Sequence, residues 1–76
     1  SNTVVQRTVM ATLEVLCGYA AVEEVKRQVK AMDGELVKAA YADLCVLRVH
    51  VPRSHAMQQI AKWTAQGITA NLVAGE

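Results

Sequence analysis

The residues in this chain best suited to nucleophilic or metal chemistry are Cys17, Cys45, His50 and His55. Cys45 and His50 are the nearest thing to a nucleophile with its base. They fall in an alternating stretch and are five residues apart, so their side chains point to opposite faces of a strand and cannot hydrogen-bond. Cys17 and Cys45 are too few and too far apart in sequence for a disulfide framework or a zinc motif. Each reads as a redox partner or as a small buried hydrophobe, and the second reading follows from how free cysteine ordinarily packs. His50 and His55 bracket a strand end and a helix start. No carboxylate or thiol is spaced to complete a metal site with them. Glu23 and Glu24 fall on a solvated helix face, where nothing shifts a carboxyl toward acid-base work. The glycines (Gly18, Gly34, Gly67 and Gly75) stand singly, so no loop is built to cradle phosphate. The expectation is a chain with no catalytic residue, no metal and no cofactor.

The composition fits that expectation. Seventy-six residues make one domain, spanning 1–76. A chain this short buries only roughly 60% of its unfolded surface. The apolar fraction of 53% is high enough to favour a core over disorder. Eight basic and seven acidic residues leave a formal charge of +1, which argues against a strong, sequence-independent grip on duplex phosphates. No apolar run reaches the length of a membrane span, and no secretory leader is visible. Reduced thiols and a cytoplasmic location are expected. The chain opens Ser1-Asn2-Thr3 without an initiator methionine, which reads as a domain taken from a longer protein, as its C-terminal part.

Hydrophobic period assigns the elements that must position these residues. Val9, Ala11, Leu13, Val15 and Cys17 alternate with Met10, Thr12, Glu14 and Leu16, which is a strand with one buried face. From Ala20 to Met32, Val22, Val25, Val29 and Met32 make the stripe of an amphipathic helix. That helix is expected to end at Asp33-Gly34 with the glycine in a left-handed cap. A second strand is expected over Glu35–Tyr41. A third over Leu44–Val51 follows a turn at Ala42-Asp43 and closes at Pro52, which lacks an amide proton. Ser54 is the expected N-cap of a helix reaching Ala65, with Met57, Ile60, Ala61 and Thr64 as its stripe and Trp63 on the flank. Gly67 stops it. Ile68, Ala70 and Leu72 then alternate with Thr69 and Asn71 in a last strand, and 74–76 read as a frayed end.

The order βαββαβ predicts an α+β, ferredoxin-like split βαβ fold. Its four-stranded antiparallel sheet has spatial order 4-1-3-2, with both helices on one face. Strands one and three are then antiparallel neighbours. Pairing Cys17 with Cys45 sets Val15 against Leu47, Leu13 against Val49 and Ala11 against Val51, all inward. The same register sets Glu14 against Arg48 on the other face, a cross-strand pair worth about 0.2–1 kcal/mol. For the second strand, keeping Lys38 out of the core turns Val37, Ala39 and Tyr41 inward, and a one-residue slip would reverse them all.

The face without helices would then show Met10, Thr12, Glu14, Leu16, Val46, Arg48, His50, Thr69 and Asn71. It offers no aromatic for stacking bases, unlike the central strands of an RNA-recognition motif. Met10, Leu16 and Val46 form a modest apolar cluster among polar neighbours, the kind of patch that marks a contact with another domain or subunit.

The stretches Cys17-Gly18-Tyr19, Ala40-Tyr41-Ala42-Asp43, Cys45 to Val51 closed by Pro52, and Trp63-Thr64-Ala65-Gln66-Gly67 carry a family likeness. From about Thr8 to Val73 the chain resembles the C-terminal domain of the bacterial YigZ/IMPACT family. The departures are Gly18, where that family often has an acidic cap, and Ile68-Thr69, where a basic residue commonly follows the glycine. Both weaken any inherited phosphate contact. The resemblance implies a ferredoxin-like domain, similar to the last domain of elongation factor G, in a protein linked to regulation of translation. The implied partners are the N-terminal domain of the same protein, RNA or the ribosome. The alternative expectation is an ACT-like regulatory module that forms a homodimer or holds a small ligand. Neither involves a membrane.

Overall fold

The alternation read above becomes a sheet. The structure, a computed structural model, describes residues 8–73. It contains strand β1 (Met10–Cys17), a 3-10 turn (Tyr19–Ala21), helix α1 (Val22–Ala31), strands β2 (Glu35–Tyr41) and β3 (Cys45–Pro52), helix α2 (Arg53–Ala65) and strand β4 (Thr69–Leu72). The strands form one antiparallel sheet in the order β2-β3-β1-β4, which is the expected 4-1-3-2 order counted from the other edge. The fold is α+β with ferredoxin-like topology.

The β1–β3 register is the expected one, with Cys17 opposite Cys45, Val15 opposite Leu47, Leu13 opposite Val49 and Ala11 opposite Val51. All eight of these side chains are buried and, with Ala70 of β4, form the sheet's share of one core. Val22, Val25 and Val29 from α1 and Ala56 and Trp63 from α2 roof that face. Both helices therefore pack on the same side. Burying a valine or leucine of this kind stabilises by about 1.5–3 kcal/mol relative to leaving it in water, so this inward row accounts for much of the drive to fold. Val9, expected to continue the row, lies before β1 and is exposed.

Helix α2 presents a different face from the expected one. Its buried residues are Ala56, Gln59 and Trp63, while Met57 is 68% exposed and Ala61 and Thr64 face solvent. Trp63, expected on the flank, is 0% exposed and is the largest fully buried side chain. The helix turns to seat this one large ring, and Gln59 is carried inward with it because residues four apart share a helix face. Ser54 does not cap α2. Its N-cap position is Pro52, with no side-chain cap bond, and the Ser54 hydroxyl lies 3.3 Å from His55 Nδ1.

Both helix ends close by the Schellman pattern, in which a left-handed residue directs two amide protons back to the last turn. At α2, Gly67 takes φ +80°, with Gly67 N donating to Thr64 O and Ile68 N to Trp63 O. At α1 the left-handed residue is Asp33 (φ 61°) and not Gly34. Asp33 N donates to Lys30 O and Gly34 N to Val29 O. Gly34 has another requirement. A Cβ there would stand 2.4 Å from the His50 carbonyl oxygen and 3.0 Å from that of Val29, so only glycine lets the chain enter β2 this close to β3.

Strand β2 is an edge strand with a bulge. Leu36 pairs with Val49 and Lys38 with Arg48, so Val37 is an extra residue between two rungs. Val37, expected inward, is 49% exposed, and Leu36 takes the helix-side position in its place. Ala39 and Tyr41 do lie on the helix side, opposite Leu47 and Cys45. The extra residue lets both ends of β2 keep an apolar side chain toward the helices.

Candidate functional site

Among the described residues no helix covers the second face of the sheet, and the register places every expected face residue on it. Met10 stands opposite Pro52, Thr12 opposite His50, Glu14 opposite Arg48 and Leu16 opposite Val46. Asn71 and Thr69 of β4 extend the rows of Glu14 and Leu16. At the other edge β2 adds Glu35, Lys38 and Ala40 to the rows of His50, Arg48 and Val46.

The expected Glu14–Arg48 pair forms, with Arg48 Nη2 donating to Glu14 Oε2 at 3.1 Å. Arg48 stands between Glu14 on one side and the like-charged Lys38 on the other, and it turns to the carboxylate. Both partners keep more than a third of their side-chain surface in water, which places the pair among the weakly stabilising ones. His50 Nδ1 lies 3.5 Å from Glu35 Oε1. Leu16 and Val46, half-buried, form one apolar row beside the Glu14–Arg48 pair, whereas exposed Met10 lies beyond Thr12 and His50, so the expected cluster of the three is divided by the two polar rows. Thr12 departs from the expected exposed set. It belongs to the face by register but is only 4% exposed, being a small side chain on a central strand with the larger His50 directly opposite. It contributes little contact surface.

The thiols lie on the other side. Cys17 and Cys45 face each other across β1 and β3, both free and buried. Burial pushes the Cys17 thiol above its ordinary range, and the neighbouring Cys45 adds to the rise. Such a thiol holds its proton and is a poor nucleophile at neutral pH. His55 is exposed at the start of α2. Among the described residues no group of three or more His, Cys, Asp or Glu side chains could hold a metal ion. Glu23 and Glu24 make local ion pairs on α1, with Lys26 and Arg27 respectively. The Arg27 and Gln28 bonds hold the Glu24 carboxyl below its ordinary range.

A second region was not singled out from the sequence. The seam between α1 and β2 holds a cavity of about 400 Å3, lined by Val25, Val29, Leu36, Leu47 and Val49, with Lys26 and Lys30 on its α1 side. Farther along β2, Tyr41 stacks on Tyr19 with ring centroids 6.1 Å apart, and Tyr19 Oη donates to Ala42 O at 2.6 Å. Lys26 and Lys30 are four apart on one helix face, a spacing legible in the sequence. The bulge that turns Leu36 toward them left no such mark.

No helix among the described residues is long and apolar enough to cross a membrane. The chain matches no family model, no curated protein and no solved structure.

Proposed function

We propose that this chain is a non-catalytic accessory module that docks a neighbouring protein domain through the uncovered face of its sheet. The observation that carries the reading is that face itself. Half-exposed Leu16 and Val46 form the row next to the Glu14–Arg48 pair, exposed Met10 stands at the far end of the face beyond Thr12 and His50, and among the described residues no element packs on them. Apolar residues on either side of a central ion pair suit protein recognition. The apolar atoms supply area, and the charges set orientation and reject mismatched partners.

The resemblance to the C-terminal domain of the YigZ/IMPACT family supplies the context. It points to a cytoplasmic, translation-associated protein whose N-terminal domain is the first partner to test, with RNA or the ribosome as the next. Against direct RNA reading stands the absence of any aromatic on the described part of this face.

The test is a titration of the isotope-labelled chain with an N-terminal domain of that family added as a separate polypeptide. Amide shifts should concentrate on Met10, Leu16, Val46, Arg48 and Asn71, and Arg48→Glu or Met10→Glu should weaken them. Parallel titration with short single-stranded RNA at low and physiological salt separates a phosphate-driven contact, which would fade with salt. If neither addition moves a residue of this face, the docking reading is wrong.

A further inference from the structure

The α1/β2 seam leaves a trough at the edge of the roofed core. Helix α1 packs against both β2 and β3 with Val25 and Val29 inward, and β2 is the sheet edge. The result is a trough rather than a sealed seam. Its floor side chains, Val25, Val29 and Leu47, are closed to water, while Leu36 on the outer wall is 39% exposed. An edge strand without this opening would either tuck Leu36 under the helix or carry a polar residue in its place.

Of the charged groups around the opening, Lys30 is the one left for a ligand. Lys26 and Lys30 are successive residues on one face of α1, and both line the trough. Lys26 is anchored 3.4 Å from Glu23, and Lys30 makes no ion pair among the described residues. Glu35, the acidic residue closest in the lining, directs its carboxylate to His50 on the opposite face of the sheet. The mouth therefore presents the Lys30 ammonium to a ligand, with Lys26 held to Glu23 beside it, above Leu36 and the alkyl stems of the two lysines.

From this juxtaposition we propose that the α1/β2 trough binds a small amphipathic carboxylate, its hydrocarbon tail laid along Leu36 and the lysine stems and its headgroup at Lys30. A volume of about 400 Å3 lies within the range of small-molecule sites. An apolar lining with one or two fixed charges is the usual division of labour in them, area for affinity and charge for orientation. A cation is refused by the same ammonium, and a neutral chain gains only the apolar part. The site is on the helix side of the sheet and is independent of the docking face.

The probe is sodium octanoate, titrated into the isotope-labelled full chain, with octyltrimethylammonium as a control of equal tail and opposite charge. Octanoate should give saturable amide shifts at Val29, Lys30, Gly34 and Leu36, and the cation should give none there. Lys30→Glu, an exposed change whose spectrum reports directly whether the fold is kept, should weaken octanoate about fivefold, the size of one screened ion pair. Leu36→Ser should weaken it without altering the preference for the anion. The proposal is overturned if octanoate moves no seam residue at millimolar concentration. It is equally overturned if the cation binds as well, or if the shifts fall on the uncovered sheet face.

Discussion

Trp63 donates its indole N–H to Oε1 of Gln28 at 2.6 Å, joining the inner faces of α2 and α1. A buried indole needs such an acceptor, because an unpaired N–H in the core carries its full desolvation cost. Gln28 is held in turn, its Nε2 donating to Glu24 Oε2 at 3.0 Å, and Gln59 Nε2 reaches the same Gln28 oxygen at 3.4 Å. One glutamine side chain thus links the central ring of the core to the charged surface of α1.

Removing that acceptor should cost stability without disturbing the sheet. Gln28→Ala is expected to lower the unfolding free energy by about 1–3 kcal/mol, the cost of an orphaned buried donor. Trp63→Ala should cost about 3–5 kcal/mol through the cavity it leaves. Urea denaturation measures both. Trp63 is the only tryptophan, so its emission follows the first variant directly. A Gln28→Ala protein as stable as the parent would show that the bond contributes nothing net.

The end of α1 predicts two changes of opposite sign. Asp33 has a left-handed backbone (φ 61°), which costs a non-glycine residue about 1–2 kcal/mol. Asp33→Gly should recover part of this and raise the thermal midpoint. Gly34→Ala should lower it by more, about 1–3 kcal/mol for forced overpacking, because the new methyl meets the backbone carbonyls of His50 and Val29. Equal effects of the two substitutions would contradict the assignment of the cap to Asp33.

The thiols predict a fall in stability toward high pH. The Cys17 pKa is raised in the folded state by burial and by Cys45. Above the unfolded thiol pKa, about 8.5, the unfolded chain releases this proton and the folded chain keeps it. The stabilising contribution is therefore complete below that pH and is lost as pH rises through the folded value. Denaturation midpoints should decline from pH 8 to 10 in the parent and decline less in Cys17→Ala. Alkylation of the native thiols should be slower than in denaturant, and equal rates would mean that the thiols are accessible.

On the uncovered face, a double-mutant cycle on Glu14 and Arg48 should return a coupling of about 0.2–1 kcal/mol that shrinks with added salt. Arg48→Ala alone should also relieve Lys38, its like-charged neighbour on β2. Its net cost should therefore be smaller than that of Glu14→Ala, as denaturation midpoints of the two variants will show.

The β1–β3 register was legible because every second residue from Ala11 to Cys17 and from Cys45 to Val51 is apolar, and one pairing also matches Glu14 with Arg48. Strand β2 was legible in extent but not in facing, since a bulge has no compositional mark and Val37 looks as inward as Leu36. In α2 the apolar period pointed to Met57 and Ile60. The true inner face, Ala56, Gln59 and Trp63, combines a small residue, a polar one and a single large ring, so size outweighed the count of apolar positions. The trough escaped notice for a related reason. It lies between α1 and the sheet edge, lined by residues far apart in sequence, which is a tertiary feature.

The bulge at Val37 has one more consequence. The rim of any sheet is a template on which another chain can lay itself, and repeated copies doing so grow into cross-β fibrils. Here one rim is interrupted by an unpaired residue followed directly by a lysine, and the other, β4, is only four residues long. The described residues offer no long straight rim for copies to zip together, so concentrated solutions should stay free of amyloid-type aggregates even though more than half of the sequence is apolar.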